Sequence, residues 1–356
     1  MISKVFTNIQ LVGSAITLGE NKHVIDDEPW YYNDDAVLLK RLKNTVAFGS
    51  RYTANETTTT CDLCIDAAKR LMNKMKLKPD DFGAVVSVTQ TPDYRMPGNA
   101  HVVHGKMGFP KDCIALDLEL GCSGFIYGLW QAFMIILCGA DRVLLLTGDS
   151  FSKCINPKDR TEAPLFCDAG AATIIEKTDQ ENPTYFVLKS DGTGLKSMYQ
   201  PAGGYRTPSS DITRKENTDK HGNSRTDEEL YMDGFEMFNF TLTEQPHLLS
   251  DILKETKKSK DEIDYFIFHQ ANKYIVDTIA KAAGLDSEKV PVVFPDYGNQ
   301  NSASIPGAIC AALSDKLEGK KNLVMQGFGI GLSWGACQLT TNSPTILKPT
   351  IYKGEK

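Results

Sequence analysis

Three side chains sit in short motifs that suit thioester chemistry. Cys122 lies in Gly121-Cys122-Ser123-Gly124, between a strand-like stretch (Ile114–Leu118) and a helix-like stretch (residues 125–137). A thiol at such a turn meets the free N–H groups and the positive end of the helix dipole, which favour thiolate and nucleophilic attack. The flanking Gly and Ser leave room for a substrate. A lone cysteine is otherwise a small packing residue, so its position and partners decide. His269 follows the strand-like Tyr265–Phe268, and a histidine at a strand's carboxyl end can serve as acid, base or hydrogen-bond donor. Asn299, in Gly298-Asn299, lies on a second strand-to-helix turn, where ordinary turn chemistry would also account for it.

The elements that must position these residues occur twice. Residues 80–89 (DDFGAVVSVT) and 261–270 (DEIDYFIFHQ) each read as a polar lead-in and a buried strand. Helix-like segments follow at 100–108 and 272–284. Next come 113–130 (CIALDLELGCSGFIYGLW) and 290–313 (VPVVFPDYGNQNSASIPGAICAAL), both read as strand, sharp Gly turn and small-residue helix. RVLLLTG at 142–148 parallels NLVMQG at 322–327, and each precedes a Gly-rich element and a last strand. Four pairs in one order predict a duplicated α/β fold, split as residues 1–178 and 179–356. Gly298-Asn299 falls where Gly121-Cys122 falls, so a pseudo-twofold would turn both elbows toward one centre, at the carboxyl ends of strands. Residues 206–229 break the repeat; they are polar and are expected to form an exposed insertion or mobile loop. Residues 327–331 (GFGIG) precede an alternating, strand-like stretch instead of a helix. They are read as a turn whose N–H groups face a reacting carbonyl, not as a dinucleotide loop.

Composition narrows the class. With 356 residues the chain can bury a large core without staples. The nine cysteines read as reduced thiols, and the Cys61-x-x-Cys64 pair as core thiols on a helix (residues 61–75) in preference to a metal or redox site. A formal net charge of −6 disfavours non-specific nucleic-acid binding. The N-terminal stretch lacks a signal-like apolar run, and the longest apolar runs, such as 133–137 and 143–146, are too short to span a membrane. A cytoplasmic protein without membrane insertion is the expectation.

Taken together, GCSGF around Cys122, HQAN around His269, YGNQNSASIP around Asn299 and GFGIGLSWG at 327–335 resemble the β-ketoacyl-acyl-carrier-protein synthase III family of the thiolase superfamily. TANET (53–57), TPDYRMP (91–97), NPKDR (156–160), CDAGAA (167–172), PAGG (201–204) and DGFEMF (233–238) extend the likeness over nearly the whole chain. The resemblance implies a thiolase-like fold of two pseudo-twofold-related halves in αβαβα layers. It implies that Cys122 accepts an acyl group from a coenzyme A or carrier-protein thioester. His269 and Asn299 would promote decarboxylation of malonyl-acyl-carrier protein, as at the start of fatty acid synthesis. The backbone N–H groups of Cys122 and Ile330 would form the oxyanion hole. No metal or other cofactor is implied, and a homodimer is, with Met96 reaching into the partner's acyl pocket beside Phe328. Lys43, Arg160, Phe238 and Tyr274 occupy positions of the coenzyme A and pantetheine channel. Leu39 and Lys43 replace a usual Trp and Arg, Ile330 a usual Gly, Tyr274 a frequent Arg and Met96 a common Phe. Lys273 and Lys281 could dock an acidic carrier protein or be simple solvated lysines.

The departures leave open a specialised relative with an unusual starter or acceptor, in secondary-metabolite or surface-glycan synthesis. A thioesterase is disfavoured because GCSGF is not the G-x-S-x-G elbow. A non-catalytic subunit is disfavoured by the intact Cys122, His269 and Asn299.

Overall fold

The structure is a computed structural model that describes residues 5–219 and 222–354. The first four residues of the N-terminal stretch, and Lys220 and His221 of the polar segment, lie outside the described residues.

The elements that build the site are, in chain order, β1 (Ile9–Leu18), α1 (Thr60–Met75), β2 (Ala84–Val88), α2 (Asn99–Met107), β3 (Ile114–Leu118), α3 (Gly124–Leu137), β4 (Arg142–Asp149), β5 (Ala169–Lys177), β6 (Tyr185–Ser190), α4 (Gly234–Thr256), β7 (Tyr265–Phe268), α5 (Lys273–Ala282), α6 (Ser304–Ala312), β8 (Lys320–Gly329) and β9 (Ser333–Asn342). One sheet has the order β1-β5-β4-β2-β3, extended beyond β1 by Thr345–Ile346 and Thr350–Ile351 near the end of the chain. The other has the order β7-β8-β9-β6. In both, a parallel pair (β2/β4, β7/β8) is followed by two antiparallel pairings.

Helices fill the layers between and outside the sheets. The inner core joins Phe125, Ile126 and Phe133 of α3, Ile305 and Ile309 of α6, Val86 of β2 and Met325 of β8, all buried. A helix that is apolar on every face, as 124–137 nearly is, finds its solvent-free environment between two sheets. Outside the first sheet, Ala68 and Leu71 of α1 and Val103 of α2 cover Leu144. Outside the second, Leu248 and Ile252 of α4 and Val276 and Ile279 of α5 cover Phe266 and Val324. The layers are therefore αβαβα. Strand β2 is buried at all five positions, as a strand covered on both faces must be.

One sequence expectation is corrected and one is refined. Residues 290–293 do not form the strand that the repeat suggested. Pro291 has no N–H for a ladder, and Pro295 soon opens a short helical turn. The side chain of Gln270 takes over: its amide donates to Phe268 O and Pro291 O at 2.9 and 3.2 Å, and its oxygen accepts from Val293 N at 2.8 Å. The polar segment 206–229 is mostly exposed, as expected, but part of it is built into the fold. It carries a small hairpin, Asn217–Thr218 with Ser224–Arg225, and buries Thr213, Asn223 and Ser224. Arg225 anchors it to two buried carboxylates, Asp159 and Glu162, at 3.5 and 3.4 Å. Its charge is what the low-hydrophobicity reading overlooked, because buried carboxylates need a cation partner.

Candidate active site

Cys122 occupies the turn just before α3, packed under the end of β8. The approach is close enough to require glycine. A Cβ on Gly329 would sit 2.7 Å from Cys122 Cβ and 3.1 Å from its Sγ, and one on Gly327 would sit 3.0 Å from Cys122 O. Residues 327–329 thus end strand β8, and the expected turn begins only at Ile330.

His269 follows the last residue of β7, and its N–H continues the ladder to Gln326 O at 2.8 Å. Its ring stands edge-on to Phe328, with centroids 5.3 Å apart. Nδ1 has no hydrogen-bond partner among the described residues. Burial pushes the imidazole pKa down to about 3, against a hydrogen bond to the Asn301 main chain, so the ring is uncharged at neutral pH. Asn272, in the same motif, caps α5 by accepting from Ile275 N at 2.9 Å.

Asn299 is held by its backbone on both sides. Its N–H donates to Leu165 O and its carbonyl accepts from Cys167 N, each at 2.8 Å. Its side-chain oxygen accepts from Asn301 N at 2.9 Å and Ser304 Oγ at 3.4 Å. With the oxygen engaged, the amide NH₂ is the end that Asn299 can offer a substrate.

These residues meet in one cavity of about 180 Å³, whose walls include Cys122, His269, Asn299, Phe328 and Phe238. A cavity of about 690 Å³ adjoins it across Phe166 and is lined by Trp30, Tyr31, Lys158 and Arg160. A third cavity, of about 620 Å³, is lined by Ile330, Gln90, Glu119, Arg95 and Tyr199. Ile330 therefore lines a different cavity from Cys122, although it directly follows the glycine that touches the thiol.

Other candidate residues lie apart. Lys43 pairs with Asp26 at 2.7 Å and Leu39 packs beside Tyr31, so neither lines the large cavity. Met96 is 73% exposed. Tyr274 stacks on Phe238 with centroids 5.8 Å apart, which places it behind the cavity wall. Lys273 is ion-paired with Asp277, and Lys281 is exposed. Cys61 and Cys64 are buried on α1, as core thiols would be.

The environment of Cys122 differs from the sequence expectation. Burial pushes its thiol far up, the carboxylate of Asp149 pushes the same way, and only its own backbone N–H pulls down. Burial of the sulfur thus favours the neutral thiol, against the pull of the helix N-terminus toward thiolate. Asp149 itself is buried and raised to about 6, with Thr89 Oγ1, Gln90 N and Ser302 Oγ donating to it at 3.1, 2.8 and 2.6 Å.

Two site residues escaped the sequence reading. Asn301 receives the Cys122 thiol, Sγ to Oδ1 at 2.8 Å, and holds a left-handed backbone (φ 49°) that asparagine tolerates better than most residues. Its signal was present two positions after Asn299, in the same motif. Trp30 stands at the large cavity in a Pro-Trp-Tyr-Tyr run that was passed over in favour of Leu39.

The layered, duplicated α/β fold with a buried cysteine at the first elbow defines a thiolase-like enzyme. Matches to the 3-oxoacyl-[acyl-carrier-protein] synthase III family model cover residues 116–192, and its C-terminal counterpart matches residues 253–341. A Campylobacter jejuni protein named for that synthase is 35% identical over 99% of both chains. The β-ketoacyl-[acyl-carrier-protein] synthase III of Phocaeicola vulgatus is 31% identical, covering 90% of this chain and 91% of its own. The crystal structure of a 3-oxoacyl-(acyl-carrier protein) synthase from Burkholderia xenovorans superimposes with a TM-score of 0.91 at 34% identity over 99% of each chain. The chain belongs to the 3-oxoacyl-[acyl-carrier-protein] synthase III family of condensing acyltransferases. Among the described residues no helix is long and apolar enough to cross a membrane.

Proposed function

We propose that the protein forms a 3-oxoacyl thioester by decarboxylative condensation, with Cys122 as acyl carrier. The observation that carries this reading is the single cavity shared by Cys122, His269 and Asn299.

In the first half-reaction the thiol attacks a donor thioester. The S–C bond to Cys122 forms, the donor S–C bond breaks, and the thiol proton passes to the departing sulfur. Burial disfavours a charged imidazole, so His269 takes part as a neutral ring, with one nitrogen lacking a partner among the described residues. The backbone N–H groups of Cys122 and Ile330 hold the tetrahedral oxyanion. In the second half-reaction malonyl-acyl-carrier protein loses carbon dioxide. Asn299 Nδ2 and the His269 tautomer with its hydrogen on the cavity side donate to the enolate oxygen. The carbanion attacks the acyl carbon, the bond to Cys122 breaks, and a proton restores the thiol. The scheme uses no cofactor.

The cavity walled by Trp30, Lys158 and Arg160 suits the nucleotide end of a coenzyme A donor, with Phe238 beside the pantetheine arm. Exposed Tyr94 and Met96 are consistent with a homodimer in which a second copy covers their loop. Lys281, with Lys273 partly neutralised by Asp277, is the basic patch offered to a carrier protein. A specialised starter, as opposed to the acetyl group of fatty acid initiation, is favoured by the polar walls of the Ile330 cavity, including Glu119, Asp93 and Arg95.

Mass spectrometry across a panel of acyl-coenzyme A and acyl-carrier-protein donors tests the reading. An adduct on the Cys122 peptide, a malonyl-dependent 3-oxoacyl product, and loss of both in Cys122→Ala are expected. Donor hydrolysis without an adduct or a condensed product would refute it.

A further inference from the structure

The nucleophile is surrounded by unmet hydrogen bonds that plain acyl transfer does not use. Gln90 Oε1 and Asn301 Nδ2 are both buried and have no partner among the described residues. Both side chains converge on the residue before the nucleophile: a Cβ on Gly121 would lie 2.3 Å from Gln90 Oε1 and 3.1 Å from Asn301 Oδ1. Gln90 also lines the Ile330 cavity, and so stands where that cavity meets the turn that carries Cys122. Its backbone is fixed by a 2.8 Å bond to Asp149.

Acylation makes the shortfall larger. In the free enzyme the Cys122 thiol donates to Asn301 Oδ1 at 2.8 Å. Once sulfur carries an acyl group it has no hydrogen to donate. The acyl enzyme then holds Asn301 with neither amide end satisfied, next to the orphan oxygen of Gln90. Buried polar groups left in that condition are costly. A saturated hydrocarbon chain cannot relieve them, whereas a hydroxyl both donates and accepts.

We propose that Cys122 accepts a short acyl group with a hydroxyl on its second or third carbon, the hydroxyl donating to Gln90 Oε1 and accepting from Asn301 Nδ2. This rests on the condensing reading above and names its substrate class. The acyl chain runs from Cys122 past Gln90 toward the Ile330 cavity, whose walls set Asp93, Arg95 and Glu119 beside Phe151, Leu230 and Ile330 and so can take a functionalised chain. The transfer is the balanced exchange already described, with the hydroxyl unchanged.

The test is Cys122 acylation and condensation kinetics with butyryl-, 2-hydroxybutyryl- and 3-hydroxybutyryl-coenzyme A. One hydroxylated donor is expected to exceed butyryl in kcat/KM by at least about tenfold, since a site built around a hydroxyl leaves polar groups unpaired when it is missing. Gln90→Met keeps a similar volume without the acceptor. It is expected to abolish that preference, read as the ratio of kcat/KM for the hydroxylated donor to that for butyryl-coenzyme A, whatever its effect on absolute rates. A wild-type ratio near one, the outcome if a trapped water serves the two amides, would overturn the proposal, as would an unchanged preference in Gln90→Met. Absence of any adduct with all three acyl groups and with acetyl, each presented on coenzyme A and on carrier protein, would instead remove the condensing reading itself.

Discussion

Gly329→Ala offers a direct measure of how tightly the nucleophile is placed. The added methyl would sit 2.7 Å from Cys122 Cβ and 3.1 Å from Sγ, against about 3.5–4.0 Å for relaxed carbon contacts. Either β8 or the Cys122 turn must yield by roughly 1 Å. Gly329 is not in the left-handed region, so alanine is allowed by the backbone and the effect is steric. Displacing a reacting atom by that distance lowers rates by about 100-fold, while overpacking costs about 1–3 kcal/mol of stability. The two effects are separable with Gly335→Ala on β9, whose Cβ would press on Leu188 and Ile126 at 2.8 and 3.1 Å, away from the thiol. Single-turnover acylation followed by mass spectrometry, beside thermal melts, should show both variants destabilised and only Gly329→Ala slowed about 100-fold. Acylation by Gly329→Ala within threefold of wild type would refute the positional argument.

Further outcomes follow from the same site. His269→Ala and Asn299→Ala should still form some acyl adduct on Cys122 yet lose most malonyl decarboxylation; normal carbon dioxide release in both variants would contradict their roles. Glu162 has its pKa raised to about 8, first by burial and then by Asp159, with Arg225 opposing. Its folded value exceeds its unfolded value, so the folded state binds the extra proton between pH 4.5 and about 8 and loses stability as pH rises through that window. The full effect is up to roughly 5 kcal/mol. Glu162→Gln should flatten the fall in melting temperature between pH 6 and 8.5, and a parallel fall in the variant would exclude Glu162 as the source.

Much of this molecule is legible in its sequence because burial leaves a periodic trace. The apolar stretches 84–88, 142–148 and 322–327 announce strands, and the nearly all-apolar stretch after Cys122 announces a helix. Residues 290–293 misled because the repeat was weighted above two prolines. Exposure of the polar segment is legible in its composition, but the anchoring of Arg225 to buried Asp159 and Glu162 is not. At the site, Cys122, His269 and Asn299 stand out by their places at chain reversals, which are local, and the structure brings the three into one cavity. The protonation of Cys122 was not legible, because desolvation depends on what is folded over the thiol. Asn301 stands in the same motif as Asn299, but its pairing with Cys122 is not local, because 179 residues separate the two.

That last contact has a consequence for synthesis of the protein. Cys122 and the oxygen that receives its proton are 179 residues apart in sequence. A nascent chain long enough to expose Cys122 has no Asn301, no His269 and no strand β8 to close over the sulfur. The arrangement around Cys122 therefore comes together late, when the ribosome has released the second sheet. An emerging chain carries an ordinary cysteine.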